Sequence, residues 1–292
     1  MYDIVVIGNP IFHNGRLTGP GIISAATIAK LGFEQTALIS SIGSNMYEKL
    51  IHGIDAYGIP EYFVIEAADS SIKEIRNPSI KNQESILGVL NRISIRDIPK
   101  EFLNARVILL SPSLQEIDAE FIEWICNSTD AQVYLDPQLR ILRSSGKLEF
   151  ISDFSVAEKT QSYLDIIVPN QLESELLTGE SDPFLAAELI VEWASDACVI
   201  TLGEDGCLVY DGNDFSTIPS YQTNEVDSEG AGAVYAAAFV SQSIEGKTLI
   251  ESAVYASAVA SLKVEKFGLD FQIDKPEIRR RSEEIANSIE TR

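Results

Sequence analysis

The run Val226-Asp227-Ser228-Glu229-Gly230-Ala231-Gly232-Ala233-Val234-Tyr235 places small residues directly ahead of an apolar stretch from Ala236 to Val240. This pattern predicts a glycine turn that opens straight into a helix. The first N–H groups of a helix have no acceptor inside it. With no side chain over them, those of Gly230, Ala231 and Gly232 form an anion hole for a phosphate or carboxylate. A glycine turn that only packs has the same spelling, so the surrounding residues must decide. Acid–base chemistry at such a turn needs a group beside it. Asp227 and Glu229 are the carboxylates nearest in sequence, and His13 lies in the loop after the first predicted strand, from which it can approach. Glu229 is favoured at a helix N-terminus by about 0.3–1 kcal/mol, and it competes with a bound phosphate for the same N–H groups.

Other chemistries lack their residues. Cys126, Cys198 and Cys207 are odd in number without metal-like spacing, and His13 and His52 are the only histidines. After the first strand the chain reads Gly8-Asn9-Pro10, where a dinucleotide loop needs Gly-x-Gly-x-x-Gly, which argues against a dehydrogenase. The chain carries 44 acidic and 22 basic side chains, a formal net charge of −22. That argues against nucleic acid as a partner, which needs a basic patch, but not against a small anionic ligand. No apolar run reaches the roughly 18 residues of a membrane span. The opening Met-Tyr-Asp-Ile-Val-Val-Ile-Gly is read as a strand and not a signal peptide, since Asp3 lies inside it and no basic lead precedes it. Free buried thiols fit a reducing, cytoplasmic setting. Arg279-Arg280-Arg281 beside Glu283-Glu284 reads as a solvated helix face.

A regular alternation must position these residues. Strands are predicted at 3–7, 36–42, 107–111, 132–135, 165–168 and 198–202, with a hairpin of 207–210 and 215–218 around Asp211-Gly212. Helices are predicted at 20–31, 46–57 and 118–126, from Ser181-Asp182-Pro183 onward, and at 232–243, 247–266 and 275–289. The helix 20–31 is small and apolar nearly all round, so it must pack tightly, and Gly32 ends it. Alternation of this kind builds a parallel sheet covered on both faces. Residues 61–96 show no helix period and predict a small β excursion. The whole chain, 1–292, reads as one α/β domain: a three-layer α/β/α sandwich with a largely parallel central sheet and a small β lid from about 11–18 and 61–96. The ligand site belongs at the carboxyl ends of the strands.

The segment around Gly230 resembles Asp-Thr-x-Gly-Ala-Gly-Asp, the signature of the ribokinase-like (PfkB) family of sugar and nucleoside kinases. Further resemblances follow in the family's order: Thr18-Gly19-Pro20-Gly21 with Ser24-Ala25-Ala26 and Leu31-Gly32, Ile42-Gly43, Asp136-Pro137-Gln138 with Arg140, and Val168-Pro169-Asn170-Gln171-Leu172-Glu173. Val199-Ile200-Thr201-Leu202-Gly203 with Gly206, and Ala256-Ser257-Ala258-Val259-Ala260, complete the series. The resemblance implies ATP-dependent phosphorylation of a hydroxyl on a sugar, nucleoside or related polyol, with Mg²⁺. It implies that Gly230, Ala231 and Gly232 cradle the transferred phosphoryl group. Thr201, Gly203, Ser257, Asp227 and Asn170 would lie at the nucleotide, and Glu173 would act on Mg²⁺ through water. Asn9, His13, Gly19 and Gly21 would lie at the acceptor. In relatives the lid often covers the acceptor and pairs with a second subunit, so a homodimer through the lid is expected.

Three positions depart from the family. Its catalytic aspartate, which takes the proton from the attacking hydroxyl, is Ala233 here. Its acceptor-holding Asp is His13, and a small residue of the turn is Glu229. A methyl group cannot accept a proton, and loss of a general base costs about 10²–10⁴-fold in rate. The clustering of three departures favours natural divergence over a single engineered change. The alternative to a working kinase is a pseudokinase that still binds nucleotide or sugar. The acceptor is not legible from the sequence.

Overall fold

The computed structural model describes residues 1–68, 72–75, 86–89, 91–114, 116–138, 140–142, 148–150 and 164–291. The chain opens with β1 (Tyr2–Ile7) and a hairpin of β2 (Ile11–His13) and β3 (Arg16–Thr18). Helix α1 (Pro20–Leu31), β4 (Thr36–Gly43), α2 (Tyr47–Tyr57) and β5 (Glu61–Ala67) follow. Next come β6 (Ile72–Ile75), β7 (Ile86–Val89), β8 (Ala105–Leu110), α3 (Ala119–Ser128) and β9 (Gln132–Leu135). Strand β10 (Arg140–Leu142) pairs antiparallel with β11 (Leu148–Phe150). The chain continues through β12 (Leu164–Ile167), α4 (Gln171–Thr178), α5 (Pro183–Trp193), β13 (Ser195–Thr201), β14 (Cys207–Tyr210) and β15 (Phe215–Ile218). It closes with α6 (Ala231–Ile244), α7 (Leu249–Val264), α8 (Lys275–Ala286) and β16 (Glu290–Thr291).

The main sheet runs β16-β15-β14-β13-β12-β9-β8-β1-β4-β5. It is parallel from β13 to β5 and antiparallel from β13 to β16. Alternate side chains of each strand feed two cores. Ile4, Val6, Leu38, Leu109 and Val199 meet α1, α2, α6, α7 and α8. Val5, Ile7, Ile39, Ile108 and Ile200 meet α3 and α5. Both faces are therefore apolar, as buried parallel strands require, and the expected three-layer α/β/α sandwich is present. Helix α1 is buried along most of its length, and Gly32 closes it in the left-handed region.

From β1 the chain works outward one way through β4 and β5, and the other way through β8, β9, β12 and β13. The switch point between β1 and β8 is where such sheets open a crevice. Backbone meets backbone there. A Cβ at Gly8 would lie 2.2 Å from the Ser111 carbonyl oxygen, and one at Gly21 would lie 3.0 Å from the Gly8 Cα. These glycines let the first turn of α1 seat directly on the ends of β1 and β8.

A second, four-stranded antiparallel sheet, β3-β2-β7-β6, stands apart from the main one. Its β2–β3 hairpin turns at Asn14-Gly15, both with positive φ (48° and 78°), the pairing that a two-residue turn of this hand demands. The segment expected to join this sheet, 61–96, divides. Residues 61–67 are β5, paired parallel with β4 at the edge of the main sheet. The reason is that Tyr62 and Val64 pack on one core while Phe63 and Ile65 pack on the other. Residues beyond 91 turn back under the main sheet, with Ile93, Ile98 and Phe102 buried against it. Only 72–75 and 86–89 of the segment stand in the small sheet, and 69–71, 76–85 and 90 lie outside the described residues.

Candidate functional site

Helix α6 begins as its sequence predicts. Gly230 is its N-cap at φ 80°, and a Cβ there would fall 2.6 Å from Ile23 Cδ1. Glycine is thus required both by the backbone and by α1. The Ala231 N–H donates to Ser228 O at 3.1 Å. The N–H groups of Gly232 and Ala233 fall in the first turn, where a helix supplies no acceptor. Nothing lies within 4 Å of where a Gly232 Cβ would sit.

That turn opens into a cleft of about 280 Å³ lined by Thr201, Gly203, Tyr221, Gly232, Ser257 and Val264, among others. Thr201 ends β13, so the cleft lies at the carboxyl end of a central strand. Its floor is Tyr235, whose hydroxyl meets the Cys207 sulfur at 3.1 Å. Burial pushes the Cys207 thiol up to about 11, so it is a neutral packing group and not a nucleophile. One wall is Tyr221. Its ring lies 4.5 Å from the Arg281 guanidinium carbon and 5.4 Å from that of Arg280, and its hydroxyl accepts from Arg280 at 2.6 Å. The three arginines expected as a solvated face are therefore divided. Arg281 is buried, bound to Glu265, Glu277 and Ser261, because α8 packs on α7 at this point.

The expected nucleotide residues split in the same way. Thr201, Gly203 and Ser257 line the cleft with Ala231 and Gly232. Asn170 does not line it but is brought beside it, in a bridge with Thr201. It caps α4, accepting from the Glu173 N–H at 2.9 Å while Glu173 Oε2 accepts from the Asn170 N–H at 3.0 Å. Glu173 is buried behind this reciprocal pair and does not line the cleft. Asp227 turns away from the cleft. Its Oδ2 accepts from Lys263 Nζ at 3.0 Å and from the Gly268 N–H at 2.8 Å, and its Oδ1 accepts from the Glu229 N–H at 3.0 Å. Burial alone would raise this carboxyl, but the Gly268 N–H, the Lys263 ammonium and the Glu229 N–H together hold it below the usual carboxylate range.

At the expected acceptor side, Asn9 is wholly buried. Its N–H donates to Glu116 at 2.8 Å, its Oδ1 accepts from the Ser41 N–H at 2.7 Å, and its Nδ2 donates to Asn91 O at 2.5 Å. Gly19, at φ 109°, has no room for a Cβ against Ile11 N at 2.9 Å, and Gly21 is pressed on Gly8. These three residues are buried and hold the first loop together. His13 differs. It is partly exposed on β2, with Nδ1 3.8 Å from Glu229 Oε2, so the small sheet reaches the anion turn. Ala233 is buried, and its carbonyl accepts from Ser24 Oγ at 3.2 Å. No carboxylate occupies its position.

Sequence reading missed Tyr221, Lys263 and Glu116. Tyr221 stands in a polar loop without periodicity. Lys263 reads as an ordinary basic residue in the last turn of a helix. Glu116 carries no motif, although a lone acid between Ser113 and Asp118 can bind the N–H groups of its own loop.

The chain is thus a doubly wound α/β protein in which a helix N-terminus faces a cleft at the strands' carboxyl ends, where ligands of such sheets bind. The pfkB family carbohydrate kinase profile matches residues 15–276. The chain is 28% identical to the cytidine kinase of Thermococcus kodakarensis over 263 residues, covering 86% of this chain and 92% of that one. Among solved structures it is similar to a ribokinase from Thermotoga maritima, with TM-score 0.73, 21% identity, and 97% and 100% of the two chains covered. A ribokinase of Arabidopsis thaliana solved with ribose and ATP gives TM-score 0.73 at 21% identity, covering 97% and 99%. The chain belongs to the pfkB family of carbohydrate kinases. Among the described residues no helix is long and apolar enough to cross a membrane.

Proposed function

We propose that this protein binds ATP in the cleft between β13, α6 and α7, with its terminal phosphates at the anion turn, and serves a sugar, nucleoside or related polyol as phosphoryl acceptor. The observation that carries this reading is the opening of the Gly230–Gly232 helix start into a cleft of about 280 Å³. In a doubly wound sheet that is a phosphate site with room for a base behind it. Tyr221, stiffened by two arginines, would offer the base an aromatic face, and Ala260 and Val264 would give it an apolar wall. Among the described residues no three His, Cys, Asp or Glu side chains converge. Mg²⁺ would therefore be held chiefly by the phosphates and water, as this ion commonly is, with Glu173 near enough in the fold to act through water. Bound Mg²⁺ supplies charge neutralisation on the phosphates. The small sheet, reaching Glu229 through His13, would cover the acceptor as a lid. Titration calorimetry with ATP and Mg²⁺ tests the reading, and absence of binding at millimolar concentration would refute it.

Ala233 favours a second reading, a protein that binds both ligands and turns over slowly or not at all. The free buried thiols Cys198 and Cys207 suit a reducing compartment for either one.

Two expectations separate ligand binding from folding. Gly232→Ala meets open space in a helical position. It should raise stability slightly, by about 0.5–1 kcal/mol. The added methyl would stand over the anion hole, so ATP affinity should fall at least about tenfold, a cost of order 1.4 kcal/mol. Thermal unfolding and calorimetry on one preparation read both. Glu229 is 65% exposed at its side chain and turned toward His13. Glu229→Thr should therefore tighten ATP only about two- to fivefold, and less in high salt, because water and ions screen its charge. An affinity unchanged at low salt would mean that Glu229 does not guard the pocket.

A further inference from the structure

Lys263 belongs neither to the cleft lining nor to the anion hole, yet its ammonium ends on the residue that leads into the turn. Its side chain is 1% exposed in the last turn of α7. Nζ donates to the Asp227 carbonyl oxygen at 2.7 Å and to Oδ2 at 3.0 Å. The Val226 and Asp227 N–H groups donate to Val264 O at 2.7 and 3.0 Å. The Asp227 carboxylate also takes the Gly268 and Glu229 N–H groups. One buried cation thus stands where the end of α7, the loop at Gly268 and the approach to Gly230 cross. The acids around it are otherwise engaged or face elsewhere: Glu265 binds Arg281, Glu204 and Glu225 line the cleft, and Glu229 faces His13.

A methionine would fill the same space without the cost of taking an ammonium out of water. What the charge adds is a fixed orientation for Asp227. Deprived of the ammonium, that carboxylate would turn to the open N–H donors a few residues on, where a helix start attracts anions. It would then occupy the hole meant for phosphate.

We infer that Lys263 is a positioning residue for the phosphate site: its ammonium is a resident, tethered monovalent cation that locks Asp227 and so holds the backbone N–H groups of Gly232 and Ala233 open. This rests on the nucleotide reading for its purpose, but the locking itself does not. The turn then needs no soluble cation, and cutting the tether leaves a vacancy shaped for one.

The test compares wild type, K263A and K263M in ammonium, potassium and tetramethylammonium chloride at equal ionic strength. Amide hydrogen exchange over 226–235 and ATP titration are read on each full-length protein. Wild type should be the same in all three salts. K263A should exchange and bind ATP at least about tenfold worse in tetramethylammonium, as expected for a displaced phosphate cradle, and recover in ammonium or potassium. K263M, filled but uncharged, should be defective in every salt. Protection of the turn in K263M equal to wild type would overturn the inference, as would a K263A defect that no small cation repairs. If K263A does not fold, wild type against K263M decides alone. A wild type that binds no ATP in any salt refutes the nucleotide reading, and the exchange pattern still decides the role of Lys263.

Discussion

Ala233→Asp is expected to raise phosphoryl transfer at least about 10²-fold over the unsubstituted chain, on the same acceptor and with ATP saturating. Position 233 is the third residue of α6, on the turn that carries Gly230 and Gly232. A carboxylate there benefits from the helix N-terminus, and the family resemblance gives it the task of taking the acceptor hydroxyl's proton. The methyl group now present is buried and has no lone pair to accept a proton. ADP release across a panel of sugars and nucleosides measures the effect. The gain should appear in kcat, since the change adds an interaction made as the proton moves and alters ground-state binding little. Equal turnover by the two proteins would mean that another group, with His13 and Glu229 nearest the turn, already serves as base. No turnover by either protein, with ATP still bound, would favour the binding-protein reading.

Glu116→Ala should cost about 3–5 kcal/mol of stability, more than any other single change described for this fold. Glu116 Oε1 accepts the Asn9 and Ser113 N–H groups at 2.8 and 2.6 Å, and Oε2 accepts that of Leu114 at 2.9 Å. Alanine would leave all three donors buried without an acceptor. The loop they stabilise carries Asn9, which in turn holds Ser41 and Asn91. Burial is the dominant influence on the Glu116 carboxyl and raises it above its ordinary value, against the opposing pull of the three N–H groups. The folded chain therefore keeps this proton where the unfolded chain has released it. The stability it contributes is complete below the ordinary carboxylate range and is lost as pH rises through the folded value. In urea titrations the advantage of wild type over Glu116→Gln should accordingly be larger near pH 5 than near pH 8. An advantage that grows with pH would show that the ionised form is the favoured one in the fold.

The sheet was legible where strands are apolar on both faces and short turns interrupt them. Tyr62-Phe63-Val64-Ile65 carries that same signal, and assigning it to the small sheet overlooked four consecutive apolar residues. Asn14-Gly15 likewise spells its own hairpin. At the site, local spelling sufficed for the helix start at Gly230–Gly232, because it is settled within a few residues. The roles of Asn9, Lys263 and Tyr221 were not legible because their partners lie far off in sequence. Asn9 bonds across 82 and 107 positions, and Lys263 across 36. A glycine's spelling also does not say what packs against it, and at Gly19 and Gly21 the chain's own backbone comes close.

The Ser24–Ala233 hydrogen bond joins α1 to α6 across 209 positions, and the cleft lining begins only at Thr201. On a ribosome, the sheet from β5 to β12 emerges well before α6, α7 and α8, three of the five helices on one of its faces. At roughly 5–20 residues per second, that apolar face waits several seconds or more for α6, α7 and α8. The nascent chain is then a sticky half-sandwich with no ligand to stabilise it. Chaperone supply during synthesis should accordingly govern yield, and chains cut short before α7 should precipitate instead of persisting as smaller binding units.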